Sequence, residues 1–274
     1  MLKTYKPNTA GTRNKKSVVY DITKNKKPEK SLIKPLLGPA GRSNGRISVR
    51  HKSRGAKKFY RIIDFKRNKF DIPGKVTSIE YDPNRGALIA LIVYKDGEKR
   101  YIIAPENLPV GSIVMSGENI EFTPGNTTRM SNIPVGTQIH NVELNPEQGG
   151  SMVRGAGNFA ILMAKEGNFA QIKLPSGEYK KVSIECMATI GVVSNGELRN
   201  RRLGKAGINR HKGNRPSVRG VAMANPSDHP HAGSYKDNGI GMPSPKSPWG
   251  WKTRGVKTRT RRHTNKFIVK DRRK

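Results

Sequence analysis

Residues 158–194 read NFAILMAKEGNFAQIKLPSGEYKKVSIECMATIGVVS. Four β-rich runs are separated there by Glu166-Gly167-Asn168 and by Pro175-Ser176-Gly177-Glu178, sequences rich in the residues that turn a chain. Ala160, Leu162, Ile172, Leu174, Val182 and Ile184 alternate well enough to give the runs one buried face. Upstream the same grammar repeats. KVTSIEY (75–81) is β-rich with imperfect alternation, and ALIALIVY (87–94) and RYIIA (100–104) flank KDGEK, where Asp96-Gly97 is a strong hairpin signal. Pro109-Val110-Gly111 and Pro124-Gly125 follow as further breaks. Short antiparallel strands of this kind lose their exposed edges by closing, so two small barrels in series are expected. No stretch reads as an amphipathic helix, and helical turns are expected only in the tails.

The flanks of this centre are different. The 274 residues hold 53 Lys+Arg against 20 Asp+Glu, a formal charge of +33. Residues 1–69 carry +18, residues 70–198 carry −3 and residues 199–274 carry +18. Self-repulsion of that size opposes compaction unless a polyanion cancels it. Nucleic acid is the first candidate partner and a membrane surface the second. One Cys rules out an internal disulfide. MLKTYKPNTAG has no apolar core of a signal peptide, and the longest apolar stretch, near 87–94, is too short to span a bilayer. The C-terminal flank has too few apolar residues to offset its own ordering entropy. It is not low-complexity, however. Trp249 and Trp251 stand among Pro226, Pro230, Pro243, Pro245 and Pro248, which suggests a specified path through a folded polyanion.

Candidate chemistry is sparse. Gly155–Ala160 matches a dinucleotide-binding glycine pattern, but it precedes a β-run in an all-β context, so the match is accidental. Asp228-His229-Pro230-His231 is the most enzyme-like cluster, yet it offers few ligands for zinc, and adjacent Ser227, Asp228 and His229 cannot form a converging triad. Phosphates near His229 would favour its protonated form. Cys186 reads as a small buried apolar residue. Phe59, Tyr60, Phe65 and Phe70 interleave with Lys57, Lys58, Arg61, Lys66, Arg67 and Lys69, which suits a strand with aromatic and phosphate-facing sides. Arg85 in DPNRG and Arg154 in VRGAGN stand in acid-leaning, turn-rich surroundings where a planar guanidinium suits phosphate or base edges.

YRIIDFKRNK (60–69), EYDPNR (80–85), YKDGEKRYI (94–102), NIPVGTQIHNVE (132–143), GKAG (204–207), RPSVRGVAM (215–223), NPSDHPHAG (225–233), PWG (248–250) and KFIV (266–269) resemble the family of the universal large-subunit ribosomal protein number two, most closely its bacterial or organellar form. The resemblance implies an all-β fold: an OB-fold barrel over 60–125 and an SH3-like barrel over 126–198. A basic N-terminal extension, 1–59, and an extended basic C-terminal arm, 199–274, complete it. The arms are expected to be disordered before assembly. It implies a structural, non-enzymatic constituent of the large subunit. Such a protein binds large-subunit rRNA and supports subunit association, tRNA binding and the peptidyl-transferase centre. Arg85 and Arg154 fall on the family's RNA-contacting arginines, and His229, with Asp228, on its histidine linked to peptidyl transfer. This chain departs from the family wording there: Ala224 is inserted, and Ala232 and Ser234 replace Gly.

Further RNA contacts are assigned to Arg61, Lys66, Arg67, Lys69, Lys205, Arg215, Arg219, His231, Trp249 and Arg254. The expected partners are large-subunit rRNA, other ribosomal proteins, small-subunit rRNA at the subunit interface and, indirectly, tRNA. No membrane, self-oligomer or metal site is expected, and no cofactor beyond magnesium brought by rRNA. The expected location is the cytoplasmic ribosome of a bacterium or an organellar ribosome. Two other readings compete: a metal-dependent hydrolase built on Asp228, His229 and His231, and a histone-like DNA compactor. The two patterned β-units argue against the compactor.

Overall fold

The structure, a computed structural model, describes residues 2–20, 27–36, 38, 40–233 and 243–272. The chain divides into two units. One comprises residues 1–37, 57–206 and 264–274; the other comprises 38–56 and 207–263. Short ladders come first. β1 (Leu2–Thr4) pairs with β2 (Lys16–Val18). β3 (Ile33–Pro35), β4 (Arg42–Ser43), β5 (Arg46–Ile47) and β6 (Phe59–Arg61) follow, with β3 on β6 and β4 on β5.

The first barrel holds β7 (Gly74–Glu80), β8 (Ile89–Tyr94), β9 (Lys99–Ile103) and β10 (Ile113–Val114) in the antiparallel order β10-β7-β8-β9. The unbroken apolar run of ALIALIVY is explained by burial on both faces of β8. Ala90, Ile92 and Tyr94 pack with Val76, Ile102 and Val114. Ile89 packs instead with Ile63, Tyr101, Ile103 and Val193. The imperfect alternation of 75–81 has its cause in a bulge between Val76 and Ser78. Gly97, at φ +82, turns the β8–β9 hairpin as the sequence requires.

The second barrel is a curled sheet of seven strands. It is built from β11 (Thr127–Arg129), β12 (Gln138–His140), β13 (Ala160–Glu166), β14 (Phe169–Lys173), β15 (Tyr179–Ser183), β16 (Met187–Ile190) and β17 (Ile268–Lys270), in the order β11-β16-β12-β13-β14-β15-β17. Its core contains Ala160, Leu162, Ile172 and Val182 from the alternating pattern, with Met130, Ile133, Ile139 and the buried Cys186. Burial pushes the Cys186 thiol up to about 12, so it is an apolar filler and no nucleophile. Gly157 lies in the loop entering β13, which leaves 155–160 without the helix that a dinucleotide site needs. The architecture is all-β, an OB-fold barrel followed by an SH3-like barrel. α1 (Ala206–His211) is the one α-helix among the described residues.

Two barrel glutamates turn inward. Glu80 accepts Ser78 Oγ–H at 3.0 Å and Tyr101 O–H at 2.8 Å. Glu143, 1% exposed, accepts the N–H groups of Gly149 at 2.8 Å and Met187 at 2.9 Å. His140 is fully buried; its Nδ1–H donates to Gly191 O at 2.8 Å, and burial pulls its pKa down to about 4.

Candidate nucleic-acid interface

Arg85 and Arg154 are 69 positions apart, and the fold brings them to one aromatic ring. The Arg154 guanidinium lies 4.5 Å from the Phe65 centroid and that of Arg85 lies 5.6 Å from it. The two are not equivalent. Arg85 is also 5.1 Å from the Tyr60 ring, donates to Tyr60 Oη at 3.0 Å, and is ion-paired with Asp82, whose side chain is fully buried. Asp82 in turn accepts Asn84 N–H at 2.8 Å, so the DPN turn is built to seat that arginine. Arg154 is exposed, reaching out from a loop in which Val153 takes φ +54. A guanidinium lying on a ring keeps its N–H edges available, which is the presentation a phosphate requires.

The other basic candidates divide by environment. Lys66, Lys205, Arg215, Arg219 and Arg254 are exposed. Arg61 is half-buried, with Nη1–H on Phe59 O at 2.9 Å. Arg67 corrects the expectation: it is 2% exposed, its Nε–H donates to Ser116 Oγ and its Nη2–H to Gly125 O, both at 3.2 Å. Asp64 is the cause. Its carboxylate accepts the N–H of Lys66 at 3.1 Å and of Arg67 at 2.8 Å, and this tight turn puts residue 67 at φ +54 with its side chain inward. Desolvation lowers the Arg67 pKa. Lys69 is ion-paired with Asp96, and with Glu98 at 2.6 Å, and lies 4.7 Å from the Tyr94 ring. Both side chains tie parts of the first barrel together.

The DHPH loop is tightly made. Asp228 is exposed, whereas His229 is 9% exposed. His229 Nδ1 accepts the His231 N–H at 3.0 Å, and His231 Nε2 accepts the Lys246 N–H at 2.8 Å. An acceptor nitrogen carries no proton. The hydrogen bond from His231 uses the Nδ1 lone pair of His229 and leaves its Nε2 edge for a partner. Gly220 packs so closely on this ring that a Cβ there would collide with it. One ring nitrogen on each histidine is thus engaged by a backbone N–H. Among the described residues, no group of three or more His, Cys, Asp or Glu is placed to hold a metal. Ala232 is buried, with N–H on His229 O at 2.8 Å, and Ala224 points outward; Ser234 lies outside the described residues.

Two roles at this surface gave no usable sequence signal. Phe65 as a shared platform depends on β6 and two distant loops converging. Arg50, 5.0 Å from the Trp249 ring, is one arginine among many until the fold pairs it.

Two family models match this chain. One is described as Ribosomal Proteins L2, RNA binding N-terminal domain, and covers residues 29–116. The other is described as Ribosomal Proteins L2, C-terminal domain, and covers residues 123–250.

Proposed function

The chain belongs to the ribosomal protein L2 family, which makes it a structural, rRNA-binding constituent of the large ribosomal subunit, and on that premise we propose how its parts divide the work. Arg154 and Arg85 grip rRNA phosphates across the Phe65 ring. Lys66, Lys205, Arg215, Arg219 and Arg254 neutralise phosphates along the two basic flanks, and counterion release supplies much of the affinity. The loop carrying Asp228 and His229 supports the peptidyl-transferase centre, tRNA binding and subunit joining by position. His229 offers a hydrogen bond from Nε2 and performs no proton transfer, so the protein adds no catalytic group of its own. It needs no cofactor, and magnesium reaches it through rRNA alone. Its neighbours are other ribosomal proteins and small-subunit rRNA, in a bacterial or organellar ribosome, and it works as a single copy.

The observation that carries this reading is the charge layout: two +18 flanks around a −3 centre whose buried carboxylates already have donors. The test is reconstitution of large subunits with the wild-type chain or His229→Ala. Both variants are expected to co-sediment through a salt wash, and His229→Ala to join small subunits and form peptide bonds more slowly. Normal joining and normal peptide-bond rates for His229→Ala would remove the role of that loop.

A further inference from the structure

Residues 245–253 form a small hairpin. Lys246 bridges Lys252, Ser247 N–H donates to Trp251 O at 2.8 Å, and Thr253 N–H to Pro245 O at 3.0 Å. Its tip is the turn Ser247–Gly250, closed by Gly250 N–H on Ser247 O at 2.9 Å. Pro248 suits the second place of such a turn because its φ is already fixed. The turn holds Trp249 out on a short stem, 73% exposed. A large indole left in water is apolar area that a partner would cover. Arg50 stacks on it, 5.0 Å from the ring centroid, and the rest of the ring faces solvent.

Arg50 also lines a cavity of about 260 Å³, together with Arg42, Lys52 and Arg215. No carboxylate lines it among the described residues. Backbone bonds hold the segments that carry these residues around the hollow. Gly41 O accepts both Ser48 N–H at 2.9 Å and Val49 N–H at 3.0 Å, which curls the β4–β5 hairpin back. On the far side, His51 Nδ1–H donates to Pro216 O at 3.1 Å and Arg215 N–H to His51 O at 3.0 Å. Four like charges are thus gathered around one hollow that lacks a counter-charge, and an anion inside relieves their repulsion.

We infer that the cavity and Trp249 form one seat for a single unpaired RNA nucleotide. Its phosphate lies among Arg42, Lys52 and Arg215, its base stacks on the Trp249 indole, and Arg50 serves both. The inference rests on the rRNA-binding reading above and adds the class of element recognised here. An unpaired nucleotide has an open base face to stack, and a duplex does not.

The test uses the full chain and measures anisotropy of a labelled, 5′-phosphorylated single-stranded tetraribonucleotide and of a short RNA duplex at one moderate salt concentration. Trp249→Leu conserves charge. It is expected to weaken single-strand binding about 5- to 150-fold, the worth of one base–aromatic stack, and to leave duplex binding within about a factor of two. Arg50→Lys, also charge-neutral, should shift single-strand binding in the same direction by less, since an ammonium lacks the planar stacking face. Both variants should keep the wild-type thermal transition. Equal losses on the two RNAs, or unchanged single-strand binding in Trp249→Leu, overturn the seat while wild-type binding to a large-subunit rRNA fragment still upholds the broader reading. A wild-type chain that ignores that rRNA fragment overturns both.

Discussion

The unit that contains the barrels and the unit formed by residues 38–56 and 207–263 obey different physics. In the barrels, apolar burial is continuous: three clusters of buried residues fill the two sheets, and Glu80, Asp82 and Glu143 each face a donor or cation. In the other unit, Ala232 is the one fully buried apolar residue among those described, while its sequence holds 17 Lys+Arg against two Asp. Its shape comes from backbone bonds such as Ala56 N–H on His211 O at 2.8 Å and Ser53 N–H on Gly213 O at 2.8 Å. Burial builds the first unit. The second has a path but little hydrophobic reason to hold it, and a polyanion supplies what is missing.

The sharpest way to break this contrast is ionic strength. With about 6–10 phosphates neutralised, affinity of the full chain for a large-subunit rRNA fragment should fall about 10³- to 10⁵-fold between 50 and 200 mM monovalent salt. Thermal stability of the barrels in the absence of RNA should change little over that range. A shallow slope in a filter-binding titration would mean that the barrels, and not the cationic flanks, carry the interaction.

Acid should act on the second barrel through His140. Native His140 has its pKa pulled down from 6.5 to about 4, whereas the unfolded ring titrates at the ordinary value. Between those values the unfolded state binds more protons, so this contribution is intact above pH 6.5 and disappears as pH falls toward 4. The loss approaches about 3 kcal/mol. Denaturant titrations at pH 7, 5.5 and 4.5 should show the decline, and His140→Gln should flatten it. Parallel slopes for the two proteins would assign the acid sensitivity elsewhere.

What was legible in the sequence follows the same division. Period-two alternation and Gly turns announced β13 to β16 and the β8–β9 hairpin, because local pattern and tertiary burial agree there. β17 was hidden: Ile268–Lys270 lies inside a basic arm, and only pairing with β15, with Phe267 6.3 Å from Phe169, makes it a strand. Arg67 looked like a phosphate ligand because charge reads as surface in a string of letters. The turn at Asp64 sends the Arg67 side chain inward instead. The orientation of the His229 ring was beyond reach, since it depends on one backbone N–H two residues on.

The smallest expected effect gives the finest distinction, and it lies on the Phe65 ring. Arg154 is exposed and stacks without a carboxylate partner among the described residues, so Arg154→Ala should weaken rRNA binding about tenfold, the worth of one charge-assisted contact, and leave the thermal midpoint in place. Arg85 serves the fold as well as the surface. Removing it leaves the buried Asp82 carboxylate without its cation and Tyr60 Oη without a donor, so Arg85→Ala should also cost about 1–3 kcal/mol of stability. Calorimetry beside rRNA titration separates the two. A lowered midpoint in Arg154→Ala, or an unchanged one in Arg85→Ala, would reverse the roles that burial assigns to two arginines sharing one aromatic surface.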